Sequence, residues 1–312
     1  MSRHRGEMLE WLQAGHVPAG REQSSLRKAG LVPGPSEWRA FLAGLTLWLG
    51  AIALAAAVIF FFAFNWDSLG RFAKLGLVEA GILGGLLAFW RLDLDSMAGK
   101  AVLTLLALLV GALLALTGQI YQTGADTFEL FAWWAVLILP WVLVGRFAAL
   151  WLLWLALLNL AAWLYFSLAW SGETLMWALL ALDGLALVAW EAGHRASIGW
   201  LRDTWPPRLA AIASGVMATG LAWWSIFDGG LGLVGWLAWI GVAYYWYRHV
   251  RRDLFVLAGG LLSLIVTVAA LLARLMLDDG GGGGFLLIGI AVIAMSAGGA
   301  IWLNKLAREP AE

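Results

Sequence analysis

Ten long apolar runs occupy most of this chain, and no water-soluble core could take in that much hydrocarbon. They are Phe41–Phe64, Ala73–Trp90, Ala101–Tyr121, Leu130–Val144, Phe147–Trp170, Leu175–Trp190, Leu209–Phe227, Leu231–Tyr247, Leu254–Leu277 and Phe285–Leu303. A helix needs about 20 apolar residues to cross a hydrocarbon layer about 30 Å thick. Hydrophobic residues make up 62% of the chain, charged residues 13%, and the mean hydropathy is +0.83. The expected fold is all-α, a polytopic transmembrane helix bundle of about ten spans.

The stretch from Leu130 to Trp170 is apolar except at Pro140 and Gly145-Arg146. At 1.5 Å per residue it is roughly twice too long for one span, so a tight turn at Gly145-Arg146 is expected. Charge checks that division independently. With ten spans, one side collects Arg3, Arg5, Arg21, Arg27, Lys28, Arg39, Arg91, Lys100, Arg146, Arg195, Arg202, Arg208, Arg248, Arg251, Arg252, Lys305 and Arg308. The other keeps Arg71, Lys74 and Arg274. Loops retained in the cytoplasm are enriched in Lys and Arg, so both termini are expected there.

Residues 1–38 read as a short cytoplasmic helical segment, residues 39–304 as the bundle and residues 305–312 as a cytoplasmic tail. No cleavable signal is expected, and the first span reads as an uncleaved anchor. Arg3–Gln13 and Arg21–Lys28 look like short helices around a turn at Gly15–Gly20, with Leu9, Leu12 and Leu26 in contact. Pro33-Gly34-Pro35-Ser36 reads as a linker with Ser36 capping the first span. No internal repeat is evident.

The 22 tryptophans are read as structural. Trp66, Trp90, Trp170, Trp190, Trp246 and Trp302 fall near span ends, where indoles favour the headgroup region. Trp151, Trp154 and Trp163 fall within a span and are expected to pack on neighbours or lipid.

Two loops on the predicted outer face hold polar groups: Asn65 to Arg71 and Gly118 to Asp126. They are expected to meet in one cluster of Asn65, Asp67, Arg71, Lys74, Gln119, Tyr121, Gln122, Asp126 and Glu129, serving either for loop capping or for binding. Arg274 is placed to pair with Asp278 one helical turn on. Glu79 and Asp183 lie inside apolar runs, where a charged group needs a partner or a wet cavity. Glu79, about 10 Å below the outer end of its helix, reads as a buried proton or cation site or as a carboxyl hydrogen-bonded between helices. Asp183, beside Gly184, lacks visible companions and reads as structural. Asn159 is expected to make an interhelical hydrogen bond.

Several chemistries are disfavoured. There are no cysteines, hence no disulfide, thiolate site or thiol nucleophile. His4, His16, His194 and His249 all fall on predicted cytoplasmic segments, away from any intramembrane metal site. Asp183 alone cannot supply an aspartic-protease pair. Gly280–Gly284 lacks the Lys-Ser/Thr of a phosphate cradle and reads as a flexible loop. Net charge is zero, and neither a nucleic-acid partner nor a cofactor is expected.

Met8-Leu9-Glu10-Trp11-Leu12-Gln13-Ala14-Gly15, Phe64-Asn65-Trp66, Gly118-Gln119-Ile120-Tyr121-Gln122, and Leu130-Phe131-Ala132-Trp133-Trp134 leading to Leu139-Pro140 resemble the predicted bacterial membrane proteins of domain-of-unknown-function family 2157. The resemblance covers roughly Met1 to Trp170 and implies a bacterial inner-membrane location with no assigned activity. Three readings follow. The first is a non-enzymatic protein that binds or moves a small solute or cation through the outer cluster and Glu79. The second is an envelope assembly protein with a membrane-protein partner or a second copy of itself. The third, the weakest, is an enzyme on a lipid-linked substrate with Asp67 as its catalytic carboxylate.

Overall fold

A computed structural model describes residues 11, 25–27, 32–64, 70–122, 124–169, 172–277 and 283–309. These residues form ten α-helices: α1 (Pro35–Phe64), α2 (Arg71–Trp90), α3 (Met97–Tyr121), α4 (Thr127–Gly145), α5 (Ala148–Ala169), α6 (Gly172–Arg195), α7 (Trp205–Asp228), α8 (Gly232–Tyr245), α9 (Leu254–Leu277) and α10 (Gly283–Arg308). Each of the ten apolar runs is one of these helices, and no strand occurs among the described residues. The expected N-terminal helices fall almost wholly outside the described residues, although Trp11 and residues 25–27 are helical.

The chain divides into two compact units, residues 1–112 and 113–312, with the boundary inside α3. In the first unit, α1 starts at Pro35, a residue suited to a first helical position because it has no N–H to leave unsatisfied. The Gly34 N–H donates to Glu37 Oε2 at 2.8 Å, closing the turn from the third helical position. Ser36 therefore lies inside the first turn and does not cap it, and the expected linker ends at Gly34. Between α2 and α3, Ser96 Oγ accepts the Gly99 N–H at 2.9 Å and donates to the Asp93 carbonyl at 2.6 Å. Glycines let α2 approach α3 closely: a Cβ on Gly85 would come within 2.6 Å of Leu106. Trp48 of α1 directs its indole N–H at Met97 Sδ, 3.2 Å away.

In the second unit, the α4–α5 turn lies where the sequence places it. Arg146 has φ 49° and ψ 46°, and its N–H donates to the Val142 carbonyl at 3.3 Å. A left-handed residue just past the last helical one ends a helix abruptly. Pro140 is accommodated within α4. On α5, Trp154 donates from Nε1 to the Ala135 carbonyl at 3.1 Å, tying the two helices together.

Among the described residues, nine helices are long and apolar enough to cross a membrane. The other, α8, has 14 α-helical residues, short of a span by itself. It continues as a five-residue π turn, Trp246–Val250, in which the Arg251 N–H donates to the Trp246 carbonyl at 2.9 Å. The 19 helical residues together reach about 28 Å.

Contacts fix which helix ends meet. Arg208 at the start of α7 bonds Asp253 just before α9, and Arg251 bonds Glu191 near the end of α6. Arg248 of the π turn bonds Glu309 just past α10. At the opposite end, Arg274 donates to the Phe227 carbonyl, and Gly230 sits against Glu173. From α6 to α10 the helices therefore alternate in direction, with Arg208, Arg248 and Arg251 at one end, called here the basic end.

Tryptophan positions depart in part from expectation. Trp90 is exposed, as a headgroup-level indole would be. Trp190 is not: it is 1% exposed, stacked edge-on with Trp151 (4.8 Å) and Trp200 (5.5 Å). The Gly199–Leu201 turn folds back over it, and Leu201 joins its cluster. Trp246 and Trp302 also pack inward, against a core of Ala211, Tyr247, Val256, Leu257 and Leu306. Trp66 and Trp170 lie outside the described residues, as does Asp278, the expected partner of Arg274. Of the expected Gly280–Gly284 loop, Gly283 and Gly284 belong to α10, and the other three glycines lie outside the described residues.

Candidate functional site

Two polar constellations stand out within the second unit. The first lies at mid-helix. Asp183 is 11 residues from the start of α6 and 12 from its end, roughly 17 Å from either. Asn159 is likewise near the midpoint of α5. Asn159 Nδ2 donates to Asp183 Oδ1 at 2.8 Å and to the Leu155 carbonyl at 3.0 Å. Asp183 is 1% exposed. The interhelical bond expected of Asn159 is present, and it supplies the companion that Asp183 lacks in the sequence.

This pair lines a cavity of about 630 Å³ between α5, α6 and α7, whose other walls include Leu155, Ala156, Trp163, Leu179, Ala210 and Ala213. Both hydrogens of the Asn159 amide are used. The groups left without a partner among the described residues are acceptors, Asn159 Oδ1 and Asp183 Oδ2. The site is therefore an open apolar groove with two oxygens that lack donors.

The second constellation closes the basic end. Glu191 is 5% exposed and takes a hydrogen bond from Tyr247 Oη (3.0 Å) and an ion pair from Arg251 Nη1 (2.8 Å), both on Oε1. The π turn aims both donors at the same oxygen. Arg208 pairs with Asp253 through Nε at 2.9 Å, while Arg248 (Nη2–Oε2, 2.9 Å) and Arg252 (Nη1 to the backbone carbonyl, 2.8 Å) fasten Glu309. Arg195 stacks over the Trp246 ring at 4.9 Å. Every link joins α6–α7 to α8–α10 or the last helix to the π turn, so this network works as a clamp.

The residues of the sequence-derived outer cluster are divided between the two units. Gln119, Tyr121, Gln122 and Asp126 share the α3–α4 turn, and all four are exposed. Gln122 adopts φ 43° and ends α3, and Asp126 precedes α4 without a side-chain capping bond. Glu129 is half-buried in the first turn of α4. Asn65 and Asp67 lie outside the described residues. Arg71 begins α2 with its guanidinium 4.8 Å from the Phe72 ring, and Lys74 is buried. Glu79 stands on the exposed face of α2 within the first unit. Val78 and Lys74 occupy the buried face in its place.

Glu191, Tyr247, Arg251 and Asp253 escaped the sequence reading as a group. They are scattered over 63 positions at span ends, where charges look solvated. Among the described residues, no three of His, Cys, Asp and Glu converge as a metal site would require.

No curated protein and no solved structure matches the chain. Residues 9–151 match the family model described as predicted membrane protein, DUF2157. Asp183 and the basic-end clamp lie beyond that match. The match runs from the segment before α1 into the first residues of α5.

Proposed function

We propose that this membrane protein is non-enzymatic and binds a small cation or donor-rich solute within the bilayer at the Asp183–Asn159 pair. The observation that carries the reading is the combination at one point of a mid-span carboxylate, two acceptor oxygens without donors and an adjoining cavity. Ionisable groups at such depth are expensive and face partners or pathways. A ligand that is positively charged, or that presents N–H or O–H groups, supplies what the two oxygens lack.

A bacterial inner-membrane location with both termini cytoplasmic belongs to the same proposal. It is supported by the bias of seventeen basic residues against three between the two sets of loops. The alternation of α6 to α10 agrees with the same division.

The test is reaction with a hydrophobic carbodiimide in membranes, mapped by peptide mass spectrometry. Modification at Asp183, slowed by one of a panel of monovalent cations or small amines, is expected. Modification of Glu79 with none at Asp183 would overturn the reading.

A second reading, partner binding, is favoured by Glu79 itself. It is exposed on α2 one turn from Gly76, where an added Cβ would meet nothing within 4 Å. Small residues with one polar group suit close approach of another membrane helix. Cross-linking through Gly76→Cys tests it: a specific cross-linked product lost in Glu79→Leu supports a helix partner, and no product contradicts it.

A further inference from the structure

A second cavity, of about 650 Å³, runs along α7 and α9 within the second unit. From Arg208 to Trp223 its α7 wall spans 15 residues, about 22 Å, more than the roughly 15 Å depth of one leaflet. Small residues, among them Gly215, Ala258 and Gly259, form much of its lining. The hydroxyls along it and the indoles of Trp236 and Trp239 are satisfied by one another, while the Trp223 indole N–H at the far end has no partner among the described residues. Thr219 Oγ1 and Ser263 Oγ lie 2.6 Å apart, Trp236 Nε1 donates to Ser263 at 2.9 Å, and Trp239 Nε1 donates to Ser214 at 3.1 Å. Between Arg208 and Trp223 the trench thus offers mainly hydrocarbon contact.

The mouth at the basic end differs. Arg208 is held there by Asp253 Oδ2 on Nε and lies 5.3 Å from the Phe255 ring. Its two terminal nitrogens have no partner among the described residues. A guanidinium fixed through Nε presents those nitrogens as a fork suited to a phosphate. Arg251 and Arg252 lie beside Asp253 in the chain and add positive potential at the same end.

We infer that this trench holds one acyl chain of an anionic phospholipid, with the lipid phosphate on Arg208. The occupant follows from charge complementarity at the mouth and from the largely apolar lining farther in. The site is separate from the Asp183 cavity, and its test does not depend on that reading.

The probe is phosphatidylglycerol against phosphatidylcholine of identical chains, added to the detergent-purified full chain and read by native mass spectrometry. The expected result is several-fold preferential retention of phosphatidylglycerol. Arg208→Gln should remove the preference. Asp253→Asn, which breaks the ion pair but keeps the fork, should preserve it. Gly259→Leu, introduced where a Cβ meets nothing within 4 Å, should fill the trench and abolish retention. Equal retention of both lipids by the native chain, or unchanged retention in Gly259→Leu, would overturn the inference. A mapping that needs no variant is also decisive. A photoreactive group at the acyl-chain end of phosphatidylglycerol should cross-link to α7 and α9 near Val216 and Leu262, and cross-links confined to other helices would contradict the site.

Discussion

Asn159 on α5 donates its amide N–H to Asp183 on α6 across 2.8 Å, joining two mid-span side chains that lie 24 positions apart in sequence. The bond gives the bundle its polar centre. It also uses the last free donor of the pair and leaves the acceptors facing a cavity without a match.

Asn159→Leu should lower stability in detergent by about 1–3 kcal/mol, because it strips the donor from a buried carboxyl group. Asn159→Leu combined with Asp183→Leu should recover part of that loss. The coupling should be near the 0.6–1.7 kcal/mol typical of hydrogen bonds between membrane helices. A double-mutant cycle followed by reversible denaturation measures it. Strict additivity would mean the bond carries no energy.

Glu191→Ala should be the most damaging change at the basic end, costing about 3 kcal/mol, because the largely buried Arg251 would lose its counter-ion. Tyr247→Phe should cost about 1 kcal/mol, the worth of one hydrogen bond. Arg248→Ala, which breaks a more exposed pair, should cost less than about 1 kcal/mol. Thermal melting of the three purified variants gives the order, and the Glu191 effect should persist at high salt because the pair is shielded from counter-ions.

Glycines near bulky neighbours should separate cleanly from glycines in open space. A Cβ on Gly232 would collide with the Leu221 backbone carbonyl, and one on Gly235 with the Trp177 ring. Ala at Gly232 should cost about 1–3 kcal/mol because backbone cannot step aside. Ala at Gly241 meets nothing within 4 Å and should be neutral or stabilising by a few tenths to about 1 kcal/mol. Melting temperatures of the two variants decide it.

Arg146→Gly should stabilise the α4–α5 turn by about 1 kcal/mol, since Gly adopts φ 49° without the side-chain penalty. The measurement is again thermal melting. A loss of stability would show that the arginine side chain contributes more than its backbone costs.

Much of the helix order was legible because apolar run length and charge bias are local signals. The Gly145-Arg146 turn is the clearest case: an over-long apolar stretch with one small and one charged residue near its centre leaves few other places to bend. The short α8 was legible as a run but not as a 14-residue helix extended by a π turn, since the π turn is favoured by what Tyr247 and Arg251 reach on α6. Trp190 was misplaced for a similar reason. Its position near a span end suggested the headgroup layer, but α6 runs on to Arg195 and the Gly199–Leu201 turn covers the indole. Asp183 and Asn159 were each visible as polar residues in apolar runs. Their pairing was not, because the phase of one helix against another leaves no periodic mark in the chain. Glu79 shows the converse: depth along a helix can be read from sequence, while the direction it faces depends on what packs against α2.

The central claim, a ligand-accessible polar site at mid-membrane, is tested most directly by exploiting a chain without cysteine. Single cysteines would be placed at Ala213 in the Asp183 cavity, at exposed Gln119 and at fully buried Ala218. Each would be treated in intact membranes with a small water-soluble thiol reagent. Labelling at Ala213→Cys and Gln119→Cys but not at Ala218→Cys, with Ala213→Cys protected by the cation or amine that slows the carbodiimide, is the predicted result. Labelling at Gln119→Cys alone would show the Asp183–Asn159 groove to be dry and would contradict the proposed site.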